Sequence, residues 1–372
     1  MNVIKLAFSK EDLNIKIMHF RSEEITENGD ISHDFVGFSL SNTDISNVYT
    51  AKTIAKKLGD EIFPYLDNLI KNASDEASRQ KYEKTRAWID KKAVWHPALV
   101  EKCTHKLLQK MKSGTQIKEI PLPYKEIYKD LSIIAVLHDI GRLSEVDIAQ
   151  GCVNMKRSGL NKNHAAISFN ILEHAKIKQE ILLAIRYHEF ADINEVVNDD
   201  IYKQLQPDNR KIAEFYARVL QDMDKTANLL ERSKFGIKKC AEFFDPHYVQ
   251  DYSLTPEYFE KAITGNYLNL KGGHLLDAMM RFVTWTYSIH FTQTKEMLSE
   301  ILTDFFQQMY QEALREYNNS DDKDAKCLSD TLEKITKLED YAVFERTGMN
   351  VNAENRQKIL NKIAELRNFS NK

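Results

Sequence analysis

Helical periodicity is the feature that most narrows what this chain can fold into. From Thr50 onward apolar residues recur at three- and four-residue intervals, and Ala51, Ile54, Leu58, Ile62, Leu66 and Ile70 fall on one stripe. The same spacing runs through about 96–112, 125–138, 163–174, 179–190, 209–231, 274–316 and 323–340. Gly and Pro, which interrupt helices, number only 12 and 7 among 372 residues. The pattern predicts a mainly α fold. The N-terminal stretch differs: Asn14-Ile15-Lys16-Ile17 alternates, Glu27-Asn28-Gly29-Asp30 reads as a turn, and Phe35-Val36-Gly37-Phe38 follows. That arrangement admits a small β-hairpin. Lys118–Tyr124, with Pro121 and Pro123, reads as a connection, and Asn318–Asp324 as a polar break before the last helices. No repeat of fixed period is evident.

Charge and cysteine usage exclude several classes. The 29% of charged residues nearly cancel, to a net charge of -3, so there is no strong signal for nucleic acid. Cys103, Cys152, Cys240 and Cys327 lie far apart with no CxxC pair, as expected in a reducing compartment. The segment MNVIKLAFSKEDLNIKI has no long uncharged core and makes a poor signal peptide. Apolar runs such as Ile133–Leu137 fall short of the roughly 20 residues that cross a bilayer. A cytoplasmic protein without a membrane partner is the expectation.

Within this frame one segment demands explanation: Ser132–Arg142, SIIAVLHDIGR, ends an apolar helical run on a His-Asp pair and a glycine. Burying such groups uncompensated costs several kcal/mol. Comparable settings recur. Trp95-His96-Pro97 opens a helix, with proline tolerated in the first turn because its missing N–H would be unpaired there. His164 opens the run Ala-Ala-Ile-Ser-Phe-Asn-Ile-Leu, and His188, followed by Glu189, closes Ile181-Leu-Leu-Ala-Ile-Arg-Tyr. Gln221-Asp222-Met223-Asp224-Lys225 sets carboxylates into an apolar helical pattern. Histidines and aspartates at the ends of apolar helices are what a metal cluster in a bundle requires. Mixed imidazole and carboxylate donors suit zinc, iron or manganese, and carboxylates with water favour manganese or magnesium. The carboxylate of a His-Asp pair can also bridge two ions. The other histidines are expected to be ordinary: His33-Asp34 structural or surface, His174 an exposed helix end, and His247, His274 and His290 core or surface. His274 or His290 could still line a pocket.

In order, His96, His138-Asp139, His164, His188 and Asp224 resemble the signature of the HD-domain metal-dependent phosphohydrolase superfamily, over roughly residues 92–235. HDIGR is similar to the HD-x-G-[KR] segment and Gln-Asp-Met-Asp-Lys to the D-A-D-K segment. The resemblance implies an HD-domain helical bundle with additional flanking helices. It divides the chain into an N-terminal hairpin and helical extension (1–91), a catalytic core (92–235) and a C-terminal helical flank packed on that core (236–372). It makes Asp224 the last ligand, leaving Asp222 beside the ligands or at the surface. It favours His96 over His105, because Val100, Cys103 and Leu107 follow His96 at the family's spacing. Two divalent ions (Mn, Fe, Zn or Mg) are implied, with Asp139 bridging them.

The implied activity is hydrolysis of a phosphoric ester or anhydride by metal-activated hydroxide. The implied partner is a small phosphorylated molecule, a nucleotide or a relative of one. Arg142 and Lys225 are candidate phosphate-binding cations, arginine by two parallel hydrogen bonds and lysine as a point charge. Glu189 is a candidate for orienting His188 or a water. The His-His-Glu and Gly-Tyr-Pro motifs of cyclic-di-GMP phosphodiesterases are missing, which argues against that substrate. Ala-Ile-Arg-Tyr-His is similar to a segment of dinucleoside polyphosphate hydrolases but too short to identify a substrate. The aromatic run Phe282–Phe291 reads as core ahead of base-stacking platform. Two alternatives stand beside hydrolysis: a di-iron oxygenase of the same fold cleaving a C–C or C–P bond, and a metal-bound regulatory domain without turnover. The sequence is compatible with an oligomer.

Overall fold

A computed structural model describes residues 14–17, 38–41, 63–64, 66–112, 122–147, 152–153, 164–173, 177–189, 193–236, 238, 248–249, 251–268, 273–321, 323–348 and 353–370. Among these residues the chain is mainly helical, and it divides into two compact units, Met1–Asp224 and Lys225–Lys372. No described helix is long and apolar enough to cross a membrane.

In the first unit, strands β1 (Asn14–Ile17) and β2 (Phe38–Ser41) pair antiparallel, Asn14 opposite Ser41 and Ile17 opposite Phe38. Helix α1 (Glu76–Ile89) starts on Asp75, whose carboxylate accepts the Ser78 N–H at 2.7 Å. A π-helical turn, Asp90–Trp95, runs directly into α2 (His96–Lys112). Helix α3 (Tyr124–Leu137) begins after Pro123, and a 3-10 turn, Ile140–Glu145, follows it. Short strands β3 (Val146–Asp147) and β4 (Cys152–Val153) pair before α4 (His164–Leu172) and α5 (Gln179–Arg186). Two one-turn helices, α6 (Asn194–Asn198) and α7 (Asp200–Gln204), lead to α8 (Pro207–Phe235), inside which the division between the units falls.

The core of this unit lies where α2 packs on α3 and α3 on α5. Val100, Leu107, Leu108 and Met111 from α2, Ile127, Leu131 and Ile134 from α3, and Leu183 and Ile185 from α5 are all buried. Each such side chain contributes about 1.5–3 kcal/mol of apolar burial. These helices follow the expected spacing closely, and Leu66 of the first stripe is fully buried. The rest of that stripe up to position 62, the turn at 27–30 and Phe35-Val36-Gly37 lie outside the described residues.

The second unit comprises α9 (Pro256–Ile263), α10 (Leu275–Thr284), a 3-10 turn (Trp285–Ser288), α11 (Thr292–Asn319), α12 (Ala325–Glu339), a π-helical turn (Asp340–Glu345) and α13 (Ala353–Ser370). The helical spacing read over 274–316 is carried by two helices with a break between them. Hydroxyls explain the break: Thr284 Oγ1 donates to the Arg281 carbonyl (2.7 Å) and accepts the Leu268 N–H, while Thr286 Oγ1 donates to Val283 O. Such side chains compete with the helical ladder for its own partners. Phe282, Val283, Tyr287 and Phe291 belong to the buried core, as expected of the aromatic run.

Candidate metal centre

The end of α3 delivers the His-Asp pair. Ile133 to Leu137 are all buried, so packing on every side sets the helix's rotation before it reaches His138. His138 caps the helix: its N–H donates to Ile134 O at 2.9 Å, and its Nδ1 lies 2.8 Å from Ala135 O. A carbonyl can only accept, so Nδ1 carries a proton, and in the neutral ring Nε2 is the lone pair. That Nε2 is buried without a hydrogen-bond partner, with the Oδ1 atoms of Asp139 and Asp224 each 3.7 Å away.

The turn behind the pair is clamped by α4. Ser168 Oγ donates to His138 O at 2.6 Å and accepts the Gly141 N–H at 2.9 Å. A Cβ at Gly141 would lie 2.3 Å from His164 O and 2.7 Å from Ser168 N, so a glycine is required for this approach. The approach carries His164, the first residue of α4, to the pair: its Nε2 is 2.8 Å from Asp139 Oδ1. His188, in the turn after α5, places its Nδ1 2.7 Å from Ile185 O and its Nε2 3.5 Å from Asp139 Oδ1. From the other side, His96 at the start of α2 sets its Nε2 2.8 Å from Asp224 Oδ1 of α8 and 3.9 Å from Asp139 Oδ2.

Two groups of donor atoms result, His96 with His138 and Asp139, and Asp139 with His164 and His188; within each, the atoms lie within 4.8 Å of one another. Asp139 belongs to both. The chemistry of the second group fits a cation. His164 Nδ1 lies 2.7 Å from Glu189 Oε1 and His188 Nδ1 donates to a carbonyl, so both rings hold their proton on Nδ1. Their Nε2 lone pairs then face each other at 3.0 Å. Two lone pairs at that distance repel unless a proton or a metal ion lies between them. Donors on bonds of about 2.0–2.2 Å sit roughly 3 Å apart around one ion. Backbone carbonyls on His138 and His188 and a carboxylate on His164 are the outer partners that metal-binding imidazoles require.

Burial and charge shift the groups of the cluster in different directions. Burial, with Lys92 adding to it, pushes His96 down to about 4 despite Asp224 and Asp139. Burial also opposes the charged form of His138, but Asp139 and Asp224 outweigh it and hold the imidazole above its ordinary value. Desolvation would raise Asp139, yet His138, Arg142 and His164 keep it well below the carboxylate range. Asp224 is held low in the same way, by the neighbouring imidazoles of His138 and His96, which overcome its burial.

The remaining candidates fall as follows. Arg142 Nε is 3.4 Å from Asp139 Oδ2 and its Nη2 is 4.0 Å from Glu189 Oε1, which keeps a cation at the cluster. Lys225 Nζ donates to Ser288 Oγ at 2.7 Å. Glu189 holds His164 and not its neighbour His188, whose Nδ1 is already committed to Ile185 O. His105 stacks on Tyr128 and lies 2.8 Å from Ser132 Oγ, outside both donor groups. His274 pairs with Asp251 ahead of α10. Asp222 is fully buried, so it is not at the surface. His33-Asp34, His174 and His247 lie outside the described residues. Ser168 and Gln221 also serve the site, and the sequence signal for each is a polar residue on an apolar helix, one helical turn from a candidate ligand.

No known protein-family model, curated protein or solved structure matches this chain.

Proposed function

We propose that the protein is a metal-dependent phosphohydrolase acting on a small phosphorylated substrate, a nucleotide or a related molecule. One observation carries the metal part of this reading: the facing Nε2 atoms of His164 and His188, 3.0 Å apart beside the shared carboxylate of Asp139. His96, His138, Asp139 and Asp224 would hold one ion, and Asp139, His164 and His188 a second. Divalent ions there would supply Lewis acidity and a water whose pKa falls to about 7.

The protein's own groups divide the remaining work. Glu189 keeps the His164 proton on Nδ1, so that Nε2 stays available as a donor. Asp139 remains ionised and serves both groups. Arg142, partly exposed beside Asp139, offers a guanidinium to phosphoryl oxygens, a fixed cation that the His/Asp donors themselves do not supply. The order of the ligands along the chain, which resembles the HD-domain pattern, supports hydrolysis over other metal chemistry.

The test is a screen of protein loaded with Mn, Fe, Zn or Mg, aerobically and anaerobically, against nucleotides, cyclic nucleotides and dinucleoside polyphosphates. Metal-dependent cleavage of a phosphoric ester or anhydride, absent from Asp139→Ala, is expected. Iron- and substrate-dependent oxygen consumption without such cleavage would replace the reading with the di-iron oxygenase. Stoichiometric metal binding without turnover on any of these would make the site regulatory.

A further inference from the structure

Gln221 lies on α8 one turn before Asp224 and is fully buried. Its Nε2 donates to the carbonyl of Tyr187 at 2.9 Å, across 34 residues of sequence. That carbonyl belongs to the peptide joining Tyr187 to His188. Helix α5 ends at Arg186, and Tyr187, its cap, has left helical geometry with φ −111 and ψ 14. The Tyr187 N–H still reaches Leu183 O, and the chain then turns over residues 187–189, where the Tyr187 carbonyl meets Gln221. His188 Nδ1 reaching back to Ile185 O sets the ring against the helix end. Gln221 holds the carbonyl of the peptide that carries that ring.

We propose that Gln221 is a positioning residue for His188, registering the Asp139–His164–His188 donor group against the helix that carries Asp224. The inference rests on the metal reading above. A glutamine that merely satisfied a buried carbonyl would contribute to stability alone. This one grips the peptide adjoining a donor and sits on the same helix as another. Metal–ligand bonds tolerate shifts of only about 0.2 Å. Loss of the amide donor would let the peptide turn toward another partner and carry His188 Nε2 outside that tolerance. Outer partners of ligands typically change metal affinity by about 10–100-fold.

The experiment is a titration of the metal-free 372-residue chain with Zn²⁺ and with Co²⁺, read by bound-metal analysis and by visible absorption. Thermal unfolding of the metal-free protein is measured in parallel. Gln221→Met removes the donor at similar length. Gln221→Glu keeps the shape but points an acceptor at the carbonyl, and serves if the methionine variant does not fold. Both variants are expected to bind the first equivalent as the wild type does. The second equivalent should bind about 10–100-fold more weakly, with an altered Co²⁺ spectrum. Two equivalents bound with unchanged affinity and spectrum, whatever the melting temperature, would reduce Gln221 to a structural role and overturn the proposal. Equal weakening of both equivalents would overturn it too, because registration of one group predicts a selective loss. If the wild-type protein bound no metal, the metal reading itself would fail, a result distinct from these.

Discussion

Asp139 is the side chain that both donor groups share, so its removal should act on both. Asp139→Ala is expected to release the metal complement entirely, measured by metal analysis, while far-UV circular dichroism keeps its helical signal. Retention of a full equivalent would show that the groups do not depend on it. Arg142 tests the phosphate reading separately, because a guanidinium is never a metal ligand at neutral pH. Arg142→Gln should leave metal content unchanged and lower kcat/KM about 10- to 150-fold, the equivalent of about 1.5–3 kcal/mol for a hydrogen bond to a charged group. Lys225→Gln should matter less, since its ammonium is already bonded to Ser288. At this scale most donors were readable in the sequence, because a histidine or aspartate ending an apolar helix is chemically conspicuous. The partner of Glu189 was not. Adjacency suggested His188, but the reach of His188 back to Ile185 left Glu189 to the histidine that α4 brings in.

Between elements, the contact of α4 with the turn after α3 governs whether His164 reaches the cluster. Gly141→Ala would drive a Cβ to 2.3 Å from a backbone oxygen, which no rotamer change relieves. Overpacking of this kind costs about 1–3 kcal/mol. The variant is expected to melt at lower temperature and to lose metal from the His164 group before the His96 group, as metal titration would show. Ser168→Ala leaves the same turn without its bridging hydroxyl and should cost about 1–3 kcal/mol, from the buried groups it strands. Helix existence was legible along most of the described chain, since three- and four-residue spacing encodes it directly. Interruptions were harder to read. The break after Thr284 depends on hydroxyls finding carbonyls within one turn and on the Leu268 N–H from a distant segment.

For the folded molecule, the cluster should make stability depend on metal and on pH. An ion at about 1,000 times its dissociation constant adds about 4 kcal/mol, so chelation should lower the melting temperature measurably. In the metal-free protein, burial holds His96 near 4, below its unfolded value of about 6.5. The unfolded chain then binds the extra proton first, and stability falls as pH drops from about 6.5 toward 4. His138, raised in the fold, contributes in the opposite sense, losing its stabilisation as pH rises through its folded value. Melting curves of metal-free protein from pH 7 to 4 should therefore slope downward, and His96→Gln should flatten that slope; an unchanged slope would exclude His96 as its source. The sequence by itself determined a mainly helical chain and a set of donors spaced along it, because periodicity and residue chemistry are local properties. Tertiary structure alone decided which donor atoms come together, which carboxylate holds which imidazole, and that Ser168 and Gln221 hydrogen-bond to the turns that carry them. These facts depend on distances between segments tens of residues apart, which no local pattern records.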